Sequence, residues 1–325
     1  MRGVEITPEI PIDEVVELGV TAEERGFDVA FASSHYNNRD PFQALAGLAD
    51  RTNAIRVGPG VANPYETHPV TLASRVATLH ETSGGRAVFG LGAGDRSTLS
   101  NLGVDRDRPL RRVLETMRVA RRLFAGDRVT HEGTFTVEDA GLNYDVGSIP
   151  VYVGAQGPHM LRMAGKYADG VLVNASHPAD VGWASDRVTE GIEDREPRRD
   201  PPDVTAYASV SVARNEPAAR EAARPPVAFI AGGADERALK RHDVDVGLAT
   251  RIGEHVEAGR FEDAFSLVSE RMIDAFSVTG TTDTVARRFD ALLENVDSVV
   301  VGAPLGPDRA RAIELAAEAL DRAGA

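Results

Sequence analysis

Short apolar runs alternate with segments of helical spacing along the whole chain. Residues 4–6 form the first run, and residues 12–20 then carry apolar side chains at the three- and four-residue spacing of an amphipathic helix. The alternation repeats three more times by residue 91. Such a rhythm is typical of βαβ units, in which parallel strands are joined by helices.

Later apolar runs extend the same rhythm to the end of the chain. A long helix is predicted at 110–124 and a final helix at 307–323. Four further strands are predicted at residues 151–154, 171–173, 204–212 and 298–301. Eight strand–helix units need roughly 250 residues or more, and the chain has 325. We therefore predict an α/β fold, a (β/α)₈ TIM barrel.

Two segments interrupt this repeat. Residues 126–149 contain four glycines and short alternating pieces, which favours a hairpin-like excursion. Residues 225–276 read as mostly helical, a predicted insertion or cap before the last barrel unit. Length alone leaves two independent domains open, but the continuous repeat favours one domain over residues 1–325 with these two insertions.

Cysteine is absent, which excludes disulfides, thiolate metal sites and a cysteine nucleophile. We predict no metal site. No stretch of about 18 apolar residues predicts a spanning helix, and the first residues lack the apolar region of a signal peptide. The expected location is therefore the cytoplasm.

The charge balance is strongly acidic, with 50 Asp and Glu against 36 Lys and Arg, a net charge of −14 and a pI near 5.1. Such a surface disfavours nucleic acid and anionic membranes as partners, because both bind clustered positive charge. Only Lys166 and Lys240 are lysines. This composition resembles cytoplasmic proteins of salt-accumulating archaea, although ordinary acidic solubility or a GC-rich genome would also give it.

Candidate chemistry lies in the segments that follow the predicted strands, where barrel proteins bind their ligands. A histidine, a tyrosine and two amides follow the second strand, and a Gly/Pro/Asn loop follows the third. Three glycines follow the fourth strand, where a backbone can approach an anion closely. A glycine-rich turn before a helix start follows the fifth. Taken singly, each segment also fits an ordinary turn or a structural side chain.

Eight sequence blocks together carry a family resemblance. They are HYNN (35–38), GPGVANPY (58–65), GLGAGD (90–95), VGAQGP (153–158), NAS (174–176), VAFIA (227–231), AFSVTGT (275–281) and GAPLGPD (302–308). In this order and spacing the chain resembles the luciferase-like (β/α)₈ oxidoreductases. More narrowly, it resembles the coenzyme F420-dependent methylenetetrahydromethanopterin reductases.

The resemblance implies where the deazaflavin coenzyme F420 binds. Its ring would lie near 35–37 and a bulge at 60–63, with a non-prolyl cis peptide at Gly60-Val61, and its phosphate and side chain would meet the later loops. The implied coenzyme-binding residues are Ser34, His35, Tyr36, Asn37, Gly60, Val61, Ala62, Asn63, Gly92, Ala93, Gly94, Gln156, Gly157, His159 and Asn174. Ser34 departs from the family, in which many members have Asp, and this puts one polar contact in doubt.

The resemblance also implies hydride transfer from the reduced deazaflavin to a methylene group on a reduced pterin, giving a methyl group. Opening the methylene-bridged ring needs a proton, hence a buried acid. Glu5 in the first strand matches the family's proposed donor, whereas from sequence alone it could be an exposed edge-strand carboxylate. Asp95 is a second candidate for catalysis or for loop capping, and His35 for placing the ring or sharing proton traffic.

Several alternatives remain at this point. The enzyme could be another F420-dependent dehydrogenase, for an alcohol or a sugar phosphate, an FMN-dependent monooxygenase, or a coenzyme-binding barrel without catalysis. The carrier could be tetrahydromethanopterin or tetrahydrofolate. Assembly as a homodimer or homotetramer is implied by the family.

Overall fold

The computed structural model of the protein describes residues 1–324. Within them, strands alternate with helices from the first residues to the last. The strands are β1 Arg2–Ile6, β2 Val29–Ala32, β3 Arg56–Pro59, β4 Phe89–Leu91, β5 Val129–Glu132, β6 Thr136–Ala140, β7 Val151–Ala155, β8 Gly170–Val173, β9 Asp203–Val212, β10 Val278–Gly280 and β11 Ser298–Leu305. The helices are α1 Ile12–Glu24, α2 Pro41–Arg51, α3 Pro69–Thr82, α4 Arg96–Asn101, α5 Pro109–Phe124, α6 Pro158–Tyr167, α7 Pro178–Ile192, α8 Glu216–Gly233, α9 Glu236–Arg241, α10 Val246–Glu257, α11 Phe261–Ser266, α12 Glu270–Phe276, α13 Thr282–Leu293 and α14 Arg309–Arg322.

The main sheet has the strand order β3-β2-β1-β11-β9-β8-β7-β4, with β10 paired to β9. The pairs β1–β2, β2–β3, β4–β7 and β7–β8 are parallel. Parallel bridges Val57–Ala87 and Ala62–Leu91 link the β3 and β4 segments, the two ends of that order. This cyclic succession is the strand order expected for a (β/α)₈ barrel.

The chain divides into two compact units. The first comprises residues 1, 3–174 and 184–205. Its buried side chains include Phe31, Phe89 and Leu91 from strands and Met117 from α5. The predicted hairpin is confirmed as the antiparallel pair β5–β6. Every residue implied above as a coenzyme contact, and every candidate catalytic residue, belongs to this unit.

Of the described residues, the second unit comprises 2, 175–183 and 206–324. Helices α8 to α12 within it bury their own apolar cluster, which includes Val227, Ile252 and Met272. Helix α8 begins at Glu216 and carries Pro225 and Pro226 in its interior. The helical segment therefore starts nine residues before the predicted start at 225, because the prolines do not end the helix.

Sequence signals at helix starts explain several boundaries. Asp40 accepts hydrogen bonds from the backbone N–H groups of Phe42 and Gln43, and Pro41 occupies the first helical position of α2. Asp308 caps α14 in the same way through the N–H of Arg311. None of the helices in residues 1–324 is long and apolar enough to cross a membrane.

Candidate active site

Glu5 lies in the middle of β1, and its side chain is almost completely buried, with 4% of the residue exposed. It pairs in register with Phe31 of β2. Its Oε1 accepts a hydrogen bond of 2.9 Å from the hydroxyl of Thr7. The alternative of an exposed edge-strand carboxylate is therefore wrong, since β1 is an interior strand of the sheet order and Glu5 is inaccessible.

The chain bulges directly after β3. The Gly60–Val61 peptide bond is cis, as the resemblance predicted. The N–H of Gly60 donates to the carbonyl of Ala32, and Ala62 exchanges hydrogen bonds with Gly90 and Gly92. The bulge is therefore fixed between β2 on one side and the end of β4 on the other.

Glycines make room for the Val61 side chain. A Cβ built on Gly92 would overlap Cγ2 of Val61, and one built on Gly90 would overlap the carbonyl oxygen of Pro59 and lie 3.4 Å from Cγ1 of Val61. One built on Gly154 would be in ordinary contact with both Val61 methyl groups, at 3.4 Å. Gly90 lies within β4, Gly92 follows β4 directly, and Gly154 lies in β7. We call Val61, Gly90, Gly92 and Gly154 the valine seat. The implied platform behind the coenzyme ring is thus held by close packing.

The loop after β2 forms one wall of a cleft beside the bulge. The cleft has a volume of about 180 Å³, and His35, Tyr36, Ala62 and Asn63 are among the residues that line it. His35 and Tyr36 are exposed, and the hydroxyl of Tyr36 accepts a 3.3 Å hydrogen bond from Asn101 of the following α4. The structure therefore brings the segments after β2, β3 and β4 together, as their strand-end positions predicted.

Asp95 begins α4, a short helix that the sequence analysis did not predict. Its carboxylate accepts hydrogen bonds from the backbone N–H of Thr98 at 2.9 Å and from the hydroxyl of Ser97 at 2.5 Å. Burial raises the pKa of Asp95, but these hydrogen bonds and the nearby His35 outweigh it and hold the pKa below its usual range. The geometry thus gives Asp95 a capping role and favours its ionised form.

The start of α6 offers an uncovered backbone. Gly157 is its N-cap without any side-chain cap, and a Cβ there would meet no atom within 4 Å. Gln156, His159 and Asn174 are exposed. An uncapped helix start of this length attracts anions through its N–H groups and dipole, so the residues present fit a phosphate-bearing coenzyme.

The sequence analysis missed Ser33, the residue directly after β2. Its hydroxyl is buried and has no hydrogen-bond partner within residues 1–324. Buried polar groups are seldom left unpaired, so this oxygen fits a ligand group at the strand end. Its position beside Ser34 was the available signal.

A sequence model of the family described as luciferase-like monooxygenase matches residues 2–297. The 5,10-methylenetetrahydromethanopterin reductase of Archaeoglobus fulgidus is 40% identical over 319 residues, 96% of each chain. That of Methanolobus tindarius is 38% identical, over 96% of this chain and 97% of its own. The chain belongs to the luciferase-like family.

Within the luciferase-like family the chain belongs to the methylenetetrahydromethanopterin reductase branch, as the resemblance predicted. The solved structure of the coenzyme F420-dependent tetrahydromethanopterin reductase of Methanopyrus kandleri superposes with a TM-score of 0.90 at 38% identity. It covers 97% of this chain and 96% of its own. The predicted luciferase-like (β/α)₈ fold is confirmed.

Proposed function

We propose that the protein is an F420-dependent reductase that converts a methylene group on a reduced pterin into a methyl group. The observation that carries this proposal is the buried Glu5 carboxyl in β1 of a chain similar over nearly its whole length to methylenetetrahydromethanopterin reductases. A dehydrogenase for an alcohol or sugar phosphate has no comparable support.

Different residues of the chain would bind the ring of the coenzyme and its phosphate-bearing side chain. Val61 in its seat, with Ala62 and Asn63, would support the ring, and the loop at 34–37 would contact its edge. Gly92, Ala93 and Gly94 would lie along the side chain of the coenzyme. The open start of α6 at Gly157, flanked by Gln156 and His159, would hold its phosphate. Asn174 and the unpartnered hydroxyl of Ser33 would offer further hydrogen bonds to the coenzyme.

The coenzyme, when bound, supplies a hydride. A residue of this chain would supply the proton. A protonated Glu5 would give its proton to the pterin nitrogen as the carbon–nitrogen bond of the methylene bridge breaks, and that nitrogen keeps the electron pair. The buried position of Glu5 suits this role, because a proton donor must lie within reach of the bound substrate.

Asp95 and His35 take supporting roles in this proposal. A carboxylate that is ionised and already bonded to Ser97 and the helix start is poorly suited to donate a proton. Asp95 instead fixes the loop that carries Gly92 to Gly94. His35 in the exposed wall of the cleft helps to place the ring.

The proposal is tested by mixing the purified protein with reduced F420 and following reoxidation at the visible absorbance of the oxidised coenzyme. Methylene-tetrahydromethanopterin and methylene-tetrahydrofolate are offered separately, and glucose 6-phosphate and 2-propanol with oxidised coenzyme serve as controls. Turnover with either pterin is the expected result and identifies the carrier. Turnover only with a control substrate, or no coenzyme binding, contradicts the proposal.

A further inference from the structure

The hydroxyl of Thr7 donates a hydrogen bond of 2.9 Å to Oε1 of Glu5. Thr7 follows β1 directly and lies two residues from Glu5. Side chains two apart along a strand project to the same side. The hydroxyl of the partly buried Thr7 therefore approaches the buried carboxyl along the strand.

Thr7 itself is held in place on both sides. Its carbonyl accepts from the N–H of Glu9 at 2.8 Å, and the carbonyl of Pro8 accepts from the N–H of Arg39 at 3.1 Å. The guanidinium of Arg39 also donates to the carbonyl of Glu9. A β-branched side chain has few accessible χ1 rotamers. The turn after β1 is thus tied to the loop after β2, and the Thr7 hydroxyl has a fixed direction.

We propose that Thr7 is a positioning residue for the acid Glu5, an inference that rests on the proposed function. A hydroxyl that donates to Oε1 leaves the transferable proton of the neutral acid on Oε2. When that proton passes to the pterin nitrogen, the carbon–nitrogen bond breaks and its electron pair stays on the nitrogen. The carboxylate left behind keeps the Thr7 hydrogen bond, which is stronger to an ion than to a neutral acid.

Two consequences separate this role from simple packing. Removing the hydroxyl makes Glu5 a weaker acid, because the bond that favours its charged form is lost. The maximal rate then falls, while the loss of activity on the alkaline side moves to higher pH, since Glu5 holds its proton longer. A packing defect would lower the rate without moving the alkaline limb.

The test compares Thr7→Val, which keeps the shape, with Thr7→Ser, which keeps the hydroxyl. The control is Thr116→Val, since Thr116 is a buried threonine whose hydroxyl bonds only the Arg112 carbonyl within α5 among the described contacts. Thr7→Val should lower kcat about tenfold or more, the scale of one hydrogen bond to a charged group, with unchanged affinity for reduced coenzyme. Thr7→Ser and Thr116→Val should stay within about twofold of the parent.

A second readout needs neither coenzyme nor substrate. The carboxyl ¹³C signal of Glu5, assigned by its loss in Glu5→Gln, is titrated in the protein alone. Its midpoint should lie at higher pH in Thr7→Val than in Thr7→Ser. Equal midpoints, or a Thr7→Ser variant as slow as Thr7→Val, would overturn the inference. If the parent turns over neither pterin, the proposed function fails, whereas the titration still decides whether Thr7 acts on Glu5.

Discussion

The Glu5 carboxyl is a polar group enclosed by strands whose neighbouring residues are apolar. Burying an ionisable side chain costs free energy unless it is bonded or neutral. This fold keeps Glu5 in a central strand in spite of that cost. The proposed proton transfer explains why a glutamate is placed there. The same burial makes the role testable, because glutamine fits the same space.

We expect Glu5→Gln to cut turnover by a factor of about 10² or more, the usual contribution of a general acid. The amide has the size of the carboxyl but cannot deliver the proton. Affinity for reduced coenzyme, followed by fluorescence titration, should change little. Asp95→Asn is the comparison, and it should act mainly on coenzyme affinity and on the α4 loop. Parental turnover in Glu5→Gln would remove Glu5 from the mechanism.

The valine seat allows a second test at the residue scale. Gly92→Ala puts a Cβ into the space of the Val61 methyl group, and a β-branched neighbour has little freedom to turn away. We expect a loss of roughly 1–3 kcal/mol of unfolding free energy and weaker coenzyme binding. Gly233→Ala is the control, because its Cβ meets nothing within 4 Å. Equal effects in both variants would show that the seat does not matter.

The sequence predicted site residues only where they follow a predicted strand or lie in one of the family's sequence blocks. The bulge at Gly60-Val61 and the choice of Glu5 as the acid both followed from the family resemblance. The Thr7–Glu5 bond and the unpartnered Ser33 hydroxyl did not, because both depend on the path of the turn after a strand. Periodicity does not record that path.

At the scale of elements, Glu115 joins the hairpin β5–β6 to helix α5. Its carboxylate accepts from the backbone N–H of Thr134 at 2.8 Å and from the hydroxyl of Thr134 at 2.7 Å. It also accepts from Arg111 at 2.6 Å. Burial raises the pKa of Glu115, yet these hydrogen bonds and that from His131 lower it to about 2. The carboxylate of Glu115 thus attaches the hairpin to α5, a contact that the sequence did not predict.

This pKa makes hairpin attachment dependent on pH. Since the pKa of Glu115 falls from its ordinary 4.5 to about 2 on folding, its contribution is complete above pH 4.5 and is lost as the pH falls towards 2. Glu115→Gln should therefore lose roughly 2 kcal/mol at pH 7, and the gap from the parent should narrow at pH 3. Urea unfolding and hydrogen exchange of residues 129–140 measure this. Glu132→Gln, on the exposed edge of β5, should show no gap, and a pH-independent gap for Glu115→Gln would contradict the assignment.

Elements with strong periodicity were predicted well, and short or interrupted ones were not. Helix α5 was expected at 110–124 and spans Pro109–Phe124. Helix α4 has six residues, too few for a periodic signal, and was seen only as a loop. Strand β10 has three residues within the AFSVTGT block, where apolar and small residues give no alternation. Tertiary pairing rather than local pattern makes these short elements.

At the scale of the whole molecule, the net charge of −14 sets the response to salt. The surface carries many Arg–carboxylate pairs, such as Arg51–Glu17 and Arg322–Asp283. Exposed pairs of this kind contribute about 0–1 kcal/mol each, so their screening costs little. Screening the excess of negative charge stabilises the folded state, since the Debye length falls to about 3 Å at 1 M salt.

We therefore expect the Tm at pH 7 to rise as KCl increases from about 0.1 to 2 M. The gain should shrink near pH 5.1, the calculated isoelectric point, because the net repulsion vanishes there. Thermal unfolding at both pH values measures this. An equal gain at both would point to a general effect of salt on apolar burial and would contradict an origin in net charge.

The valine seat has a consequence for how this site can be altered. Three of its positions are glycines without side chains, and the fourth is the valine that lies against them. The size of the residue at each position therefore depends on the sizes of the other three. A smaller residue than valine would leave unfilled space, and a Cβ at Gly92 would overlap the valine methyl group. Variants with a change at one of these positions should all lose stability or coenzyme binding. A different support for the ring would need substitutions at two or more of the positions at once.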